Sequence, residues 1–214
     1  MDDPSGKLTE RAANSRQTDS ASFDAGNFLR RELEEHQRTL EATALAIEQP
    51  FSAVLQVLED SARGGAKFLL FGNGGSAADA QHIAAELVIR YKRDRAPIAA
   101  IALTTDSSAL TACGNDLGFD ALFSRQVEAL SRPGDVAIGI STSGNSLNVI
   151  AGLAEARRRA VHTVGLTGCD GGKMSEVCEA TIIVPSLVTA RIQEMHILIG
   201  HMLCLALEQR LGLV

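Results

Sequence analysis

Apolar residues in this chain fall into short unbroken runs separated by longer mixed stretches: KFLLF at 67–71, IAAIAL at 98–103, VAIGI at 136–140, HTVGLT at 162–167 and TIIVP at 181–185. Continuous rather than alternating runs of this length predict strands buried on both faces, and each intervening segment is long enough to carry a helix back. The pattern therefore predicts an α/β fold, a doubly wound five-stranded parallel sheet between two helical layers. Before the first run, residues 26–48 repeat Phe28, Leu29, Leu33, Leu40 and Leu45 at roughly helical spacing, and Pro50 opens a second helix to about residue 63. After the last run, residues 187–211 read as a helix apolar over much of its circumference, which needs burial in the core or against another subunit. Together with the two leading helices it predicts a homo-oligomer. Residues 1–24, rich in Ser, Asp, Asn, Thr and Arg, are expected to form a disordered extension, leaving 25–214 as one domain.

Charge and cysteine usage narrow the function. A net charge of −6 without a Lys/Arg run argues against nucleic acid as a direct partner. Cys113, Cys169, Cys178 and Cys204 make no CxxC pair and read as reduced thiols of a cytoplasmic protein. The N-terminus MDDPSGKLTE lacks the apolar run of a secretory signal. The most apolar late segment, 195–207, is too short to span a bilayer and carries His196 and His201, so no membrane partner is expected.

Chemistry gathers just after the predicted strands. Residues 72–76, 104–108, 141–146 and 167–172 are polar, flexible loops, and in an open parallel sheet the ligand crevice lies outside the carboxyl ends of the strands. The loop STSGNS at 141–146 offers hydroxyls and close backbone N–H groups at a helix N-terminus, which suits a phosphate dianion. The alternative is an ordinary strand-to-helix turn with capping serines. FGNGGSA also matches a dinucleotide-binding glycine pattern through Gly72, Gly74 and Ala77, but its acidic partner, Asp106, comes late, and no Walker lysine follows either loop. His82 and Glu86, four apart on the helix after Gly74, share a face and can address one metal ion or one substrate atom; the alternative is a surface hydrogen bond. His201 lies in an apolar stretch where a satisfied core imidazole is the competing reading. Gln193 and His201 lie about 12 Å apart along an ideal helix axis, which makes a single centre shared by both geometrically awkward.

GNGGSAADAQHIAAEL, then GND at 114–116, GISTSGNS, LTGCDGGKM and RIQEMHILIGH resemble, in order and spacing, the phosphoheptose isomerases, within the wider sugar isomerase (SIS) fold of flavodoxin-like, three-layer αβα type. The match covers roughly residues 26–211. The resemblance implies interconversion of sedoheptulose 7-phosphate and D-glycero-D-manno-heptose 7-phosphate, a homotetramer with active sites at subunit interfaces, and heptose supply for lipopolysaccharide or related glycans. By position it implies a phosphate held by Ser141, Thr142, Ser143 and Ser146, and a sugar met by Asn73, Gly74, Gly75, Ser76, Asn115, Asp116, Glu86 and Gln193. It implies one zinc ion per subunit on His82, Glu86, Gln193 and His201. An aldose–ketose isomerisation moves a proton between adjacent carbons, for which Glu86 is the candidate base and His201 the candidate acid. AIALTTDSSALTA and ARIQEMH also look like the non-enzymatic DnaA initiator-associating branch of the fold. That branch lacks the glutamate and late histidine present here as Glu86 and His201. An isomerase or sensor of another sugar phosphate is the remaining alternative, because its phosphate loop would be the same.

Overall fold

A computed structural model describes residues 23–214. The expected N-terminal extension lies outside the described residues up to residue 22, and Asp24 already caps the first helix through its side chain on Asn27 N. The elements run α1 (Ala25–Ala46), α2 (Glu48–Arg63), β1 (Phe68–Gly72), α3 (Gly75–Val88), β2 (Ala100–Ala102), α4 (Ser107–Asp116), a 3-10 turn, α5 (Leu122–Leu130), β3 (Val136–Ser141), α6 (Leu147–Arg158), β4 (His162–Gly168), α7 (Met174–Val177), β5 (Ala180–Val184) and α8 (Thr189–Arg210). All five strands are parallel, in the order β2-β1-β3-β4-β5. The order reverses between β1 and β3, which places the crevice of a doubly wound sheet at their carboxyl ends.

Side-chain alternation splits the core into two layers. Phe68, Leu70, Ile138, Ile140, Leu166 and Ile182 face α2, α3 and α8, whereas Leu69, Phe71 and Ala137 face α5, α6 and α7. Each fully buried Leu, Ile or Phe contributes about 1.5–3 kcal/mol, so β1 and β3, buried along their whole length, anchor the fold. The second strand is shorter than its apolar run predicts. It is an edge strand with Ile101 exposed, and Ile98 N leaves the sheet to bond Leu87 O.

Helix α8 is buried within this chain through Ile192, Met195, Ile199, Leu203 and Leu207. It packs beside α3 in parallel: Gly75 lies against Gln193, and Gly200 lies against Ile83. A Cβ at residue 200 would stand 2.5 Å from Ile83 Cδ1, so glycine sets how closely the helices approach. The apolar row of α1 turns outward: Phe28, Leu29, Leu33, Leu40 and Leu45 are exposed, while Thr39 and Thr43 are buried and donate to carbonyls one turn back. Among the described residues no helix is long and apolar enough to cross a membrane.

Candidate active site

Helix α3 begins abruptly because Gly74 takes φ +55°, a conformation that only glycine adopts without strain. Its first turn carries no side-chain cap. Two turns on, His82 and Glu86 project from one face, Nε2 to Oε1 3.3 Å. His201 of α8 closes the group, its Nε2 2.8 Å from that of His82, so one imidazole donates and the other accepts. The ligand atoms of His82, Glu86 and His201 all lie within 4.8 Å of one another. Tyr91 stacks on the His201 ring, centroids 5.1 Å apart and planes 25° from parallel.

The far end of α3 is held as firmly. The Arg95 guanidinium donates to Glu86 O, Leu87 O and Ala96 O and pairs with Glu208 of α8 at 2.8 Å. Both members of this ion pair are buried, and breaking such a pair from one side costs about 3–5 kcal/mol. The turn that carries Glu86 is thereby fixed to the helix that carries His201.

Gln193 stands apart from the three-residue cluster. Its amide lies over Gly75 and against Asp79, nearer the start of α3, as the 12 Å spacing along α8 requires. Asp79 is buried with Oδ2 unpartnered. Burial pushes its carboxyl above the ordinary range, with Gln193 and His82 pulling the other way.

In the loop after β3, Ser141 Oγ and Ser146 Oγ lie 2.9 Å apart, and Ser143 Oγ accepts from Asn145 N. Ser146 occupies the N-cap of α6, yet its hydroxyl turns to Ser141 and caps none of the first amides. Those amides sit at the positive end of the helix and suit an anion. Gly144 turns the chain at φ +65°, and a Cβ there would stand 2.6 Å from the Gly171 carbonyl carbon. Met174 N donates to Gly144 O and Lys173 N to Asn145 Oδ1, so the loop after β4 braces this one. Thr142 contributes its carbonyl to Cys169 Sγ at 3.9 Å. Ser76 is buried in the first turn of α3.

Asn115 and Asp116 end α4, exposed and bonded to one another at 2.6 Å. Helix α4 packs on α5 and the 3-10 turn, away from the α3–α8 pair. Cavity volume does not mark the site: a concavity of about 550 Å³ lined by Arg157, His162, Thr163, Glu176 and Glu179 lies at the amino end of β4, opposite the functional loops. Convergent polar groups mark it instead. His36 pairs with Glu194, His162 with Glu179, and buried His196 bonds Thr167 O, so these histidines have structural partners.

Asp79, Tyr91, Arg95 and Asn148 escaped the sequence reading. Only Asp79 had a local signal, three residues before His82 and so on nearly the same face.

Sheet order and rim loops define the class, that of the SIS domain, whose family model matches residues 33–168. A phosphoheptose isomerase of Paramagnetospirillum magneticum is 59% identical over 177 residues, 83% of this chain and 92% of the relative. The solved phosphoheptose isomerase of Neisseria gonorrhoeae superposes with a TM-score of 0.82 at 43% identity, and that of Francisella tularensis with 0.84 at 33%; each aligns over 87% of this chain and the whole of the other. The chain belongs to the SIS-domain family and, within it, to the phosphoheptose isomerases.

Proposed function

We propose that this chain interconverts sedoheptulose 7-phosphate and D-glycero-D-manno-heptose 7-phosphate by proton transfer between adjacent carbons. The observation that carries the reading is the convergence of His82, Glu86 and His201 from two helices whose spacing is fixed by glycine and by a buried ion pair. The uncapped start of α6, with Ser141, Thr142, Ser143 and Ser146, holds the phosphate. The loop at Asn73, Gly74, Gly75 and Ser76, together with Asn115, Asp116 and Gln193, meets the sugar.

Glu86 takes the proton from the carbon beside the carbonyl and returns it to the neighbour. His201, held by Tyr91, serves the hydroxyl oxygens as acid. Two imidazoles and a carboxylate within 4.8 Å form a donor set that suits zinc, while Gln193, over Gly75 near the start of α3, is left to the sugar. Bound there, zinc would supply Lewis-acid polarisation of the carbonyl and enediolate oxygens.

The cluster stands about 10 to 16 Å along α3 from its start, at 1.5 Å per residue. That distance and the exposed apolar row of α1 support a homotetramer in which a second copy completes each site. A cytoplasmic setting and heptose supply for lipopolysaccharide or related glycans follow as part of the same reading.

The test is incubation of purified protein with sedoheptulose 7-phosphate, with and without a chelator, followed by product analysis. Formation of the aldose that stops on chelation is the expected result. Tight binding without turnover would point to the non-enzymatic branch, and turnover of a shorter sugar phosphate alone would change the substrate.

A further inference from the structure

Asn148 has no place in the site as assigned above, yet it is only 2% exposed, at the second position of α6. Its amide meets that of Asn73 in a reciprocal pair: Asn73 Nδ2 donates to Asn148 Oδ1 at 2.8 Å, and Asn148 Nδ2 donates to Asn73 Oδ1 at 2.9 Å. The two residues belong to different segments, a loop and a helix. Asn73 links β1 to the glycine that starts α3, while Asn148 sits directly behind the phosphate loop on the first turn of α6. The last rung of the sheet between β1 and β3 pairs Gly72 with Ile140, so the amide pair ties the two loops together just beyond the point where the backbone ladder ends.

This geometry gives Asn73 a second role. Its side-chain carbonyl and one amide hydrogen are committed to Asn148, and its backbone carbonyl accepts from Ser76 N at 3.0 Å. Two ordinary hydrogen bonds in a partly buried setting resist a relative slide of the loops, and an amide facing an amide satisfies both partners without introducing charge beside an anion site.

We propose that the Asn73–Asn148 pair is a positioning device, holding the glycine loop that meets the sugar in register with the loop that holds the phosphate. The proposal rests on the reading that residues 141–146 anchor the phosphate. A substrate held at both ends needs the two loops at a fixed separation, whereas a ligand that touches only one loop does not.

The experiment compares the wild-type full chain with Asn73→Ala, Asn148→Ala and the double variant, measuring kcat/KM for sedoheptulose 7-phosphate and the inhibition constant of orthophosphate. Asn148→Ala is expected to lower kcat/KM about tenfold, the size of one or two lost hydrogen bonds, and Asn73→Ala, which also removes a side chain at the sugar, by at least as much. The double variant should be no worse than Asn73→Ala, because a tie cut at one end is already cut. Orthophosphate, which needs one loop only, should inhibit all four proteins within about twofold of one another, a pattern that general destabilisation does not give. Asn148→Ser, neutral and a good helix starter, gives the same readout if Asn148→Ala does not fold.

A silent Asn148→Ala beside a damaging Asn73→Ala would overturn the pair and make Asn73 a direct substrate contact. Multiplying losses in the double variant, or orthophosphate inhibition that weakens in step with kcat/KM, would overturn it too. A wild-type protein with no turnover of this substrate defeats the functional reading and the pair's role with it; an active wild type with any of the preceding results defeats the pair alone.

Discussion

Substituting Gly75 by alanine separates catalysis from stability. Gly75 is the first residue of α3 and has no left-handed φ, so its backbone accepts an L side chain without strain. What the new methyl meets is the Gln193 amide, with Cδ 2.5 Å from the ideal Cβ position. Ordinary carbon–carbon contact needs about 3.5 Å, so the amide must withdraw by about 1 Å. Gln193 is the end of a flexible side chain and can do so cheaply, while alanine gains about 0.5–1 kcal/mol over glycine in a helix. The two effects nearly cancel, and Tm should stay within about 4 °C of wild type. Catalysis has no such compensation: a displacement of about 1 Å in a positioned group costs on the order of 10²-fold in rate. The assay is kcat/KM for sedoheptulose 7-phosphate beside a thermal melt, with Gln193→Ala and the double variant as controls. Gly75→Ala should lose about 10²-fold, or about 2.7 kcal/mol of transition-state stabilisation, with an unchanged melt. The double variant should match Gln193→Ala. Wild-type activity in Gly75→Ala would refute the reasoning, because Gln193 would then have no role that depends on its place over Gly75.

Ser143→Ala together with Ser146→Ala removes two hydroxyls from the phosphate loop and should raise KM about tenfold with kcat little changed; an unchanged KM in steady-state kinetics would move the phosphate elsewhere. Burial pushes His196 down from 6.5 to about 4, so the folded protein keeps this imidazole neutral while the unfolded chain takes up a proton below pH 6.5. Stability from this group is therefore lost as pH falls from about 6.5 and levels off near 4, about 2 kcal/mol between pH 7 and 5. Denaturant midpoints across that range should fall more steeply for wild type than for His196→Gln, and parallel slopes would contradict the assignment.

The sheet was legible because its strands are continuous apolar runs, and the loop proposed for the phosphate stood out because hydroxyls and glycine cluster directly after one of them. The pairing of His82 with Glu86 follows from a four-residue spacing. That His201 joins them does not follow from any local pattern, since 119 residues separate it from His82 and only the α3–α8 packing at Gly200 brings the imidazoles together. Tyr91, Arg95 and Asn148 were invisible for the same reason. Each acts through a partner distant in sequence, and a tyrosine or arginine after a helix carries no mark of the ring or carbonyl it will reach. The outward row of α1 was legible as a helix face but not in its direction, because leucines that cover a core and leucines that await a partner have the same period.

In the proposed isomerisation Glu86 carries a proton between neighbouring carbons. Running the isomerisation of sedoheptulose 7-phosphate in deuterium oxide and examining carbon 2 of the heptose product tests this most directly. Wild-type protein should form aldose that carries at carbon 2 the hydrogen taken from carbon 1, or deuterium in turnovers where the Glu86 carboxyl exchanges with solvent first, and Glu86→Gln should form no aldose at all. Turnover by Glu86→Gln would contradict the proposed role of this carboxylate.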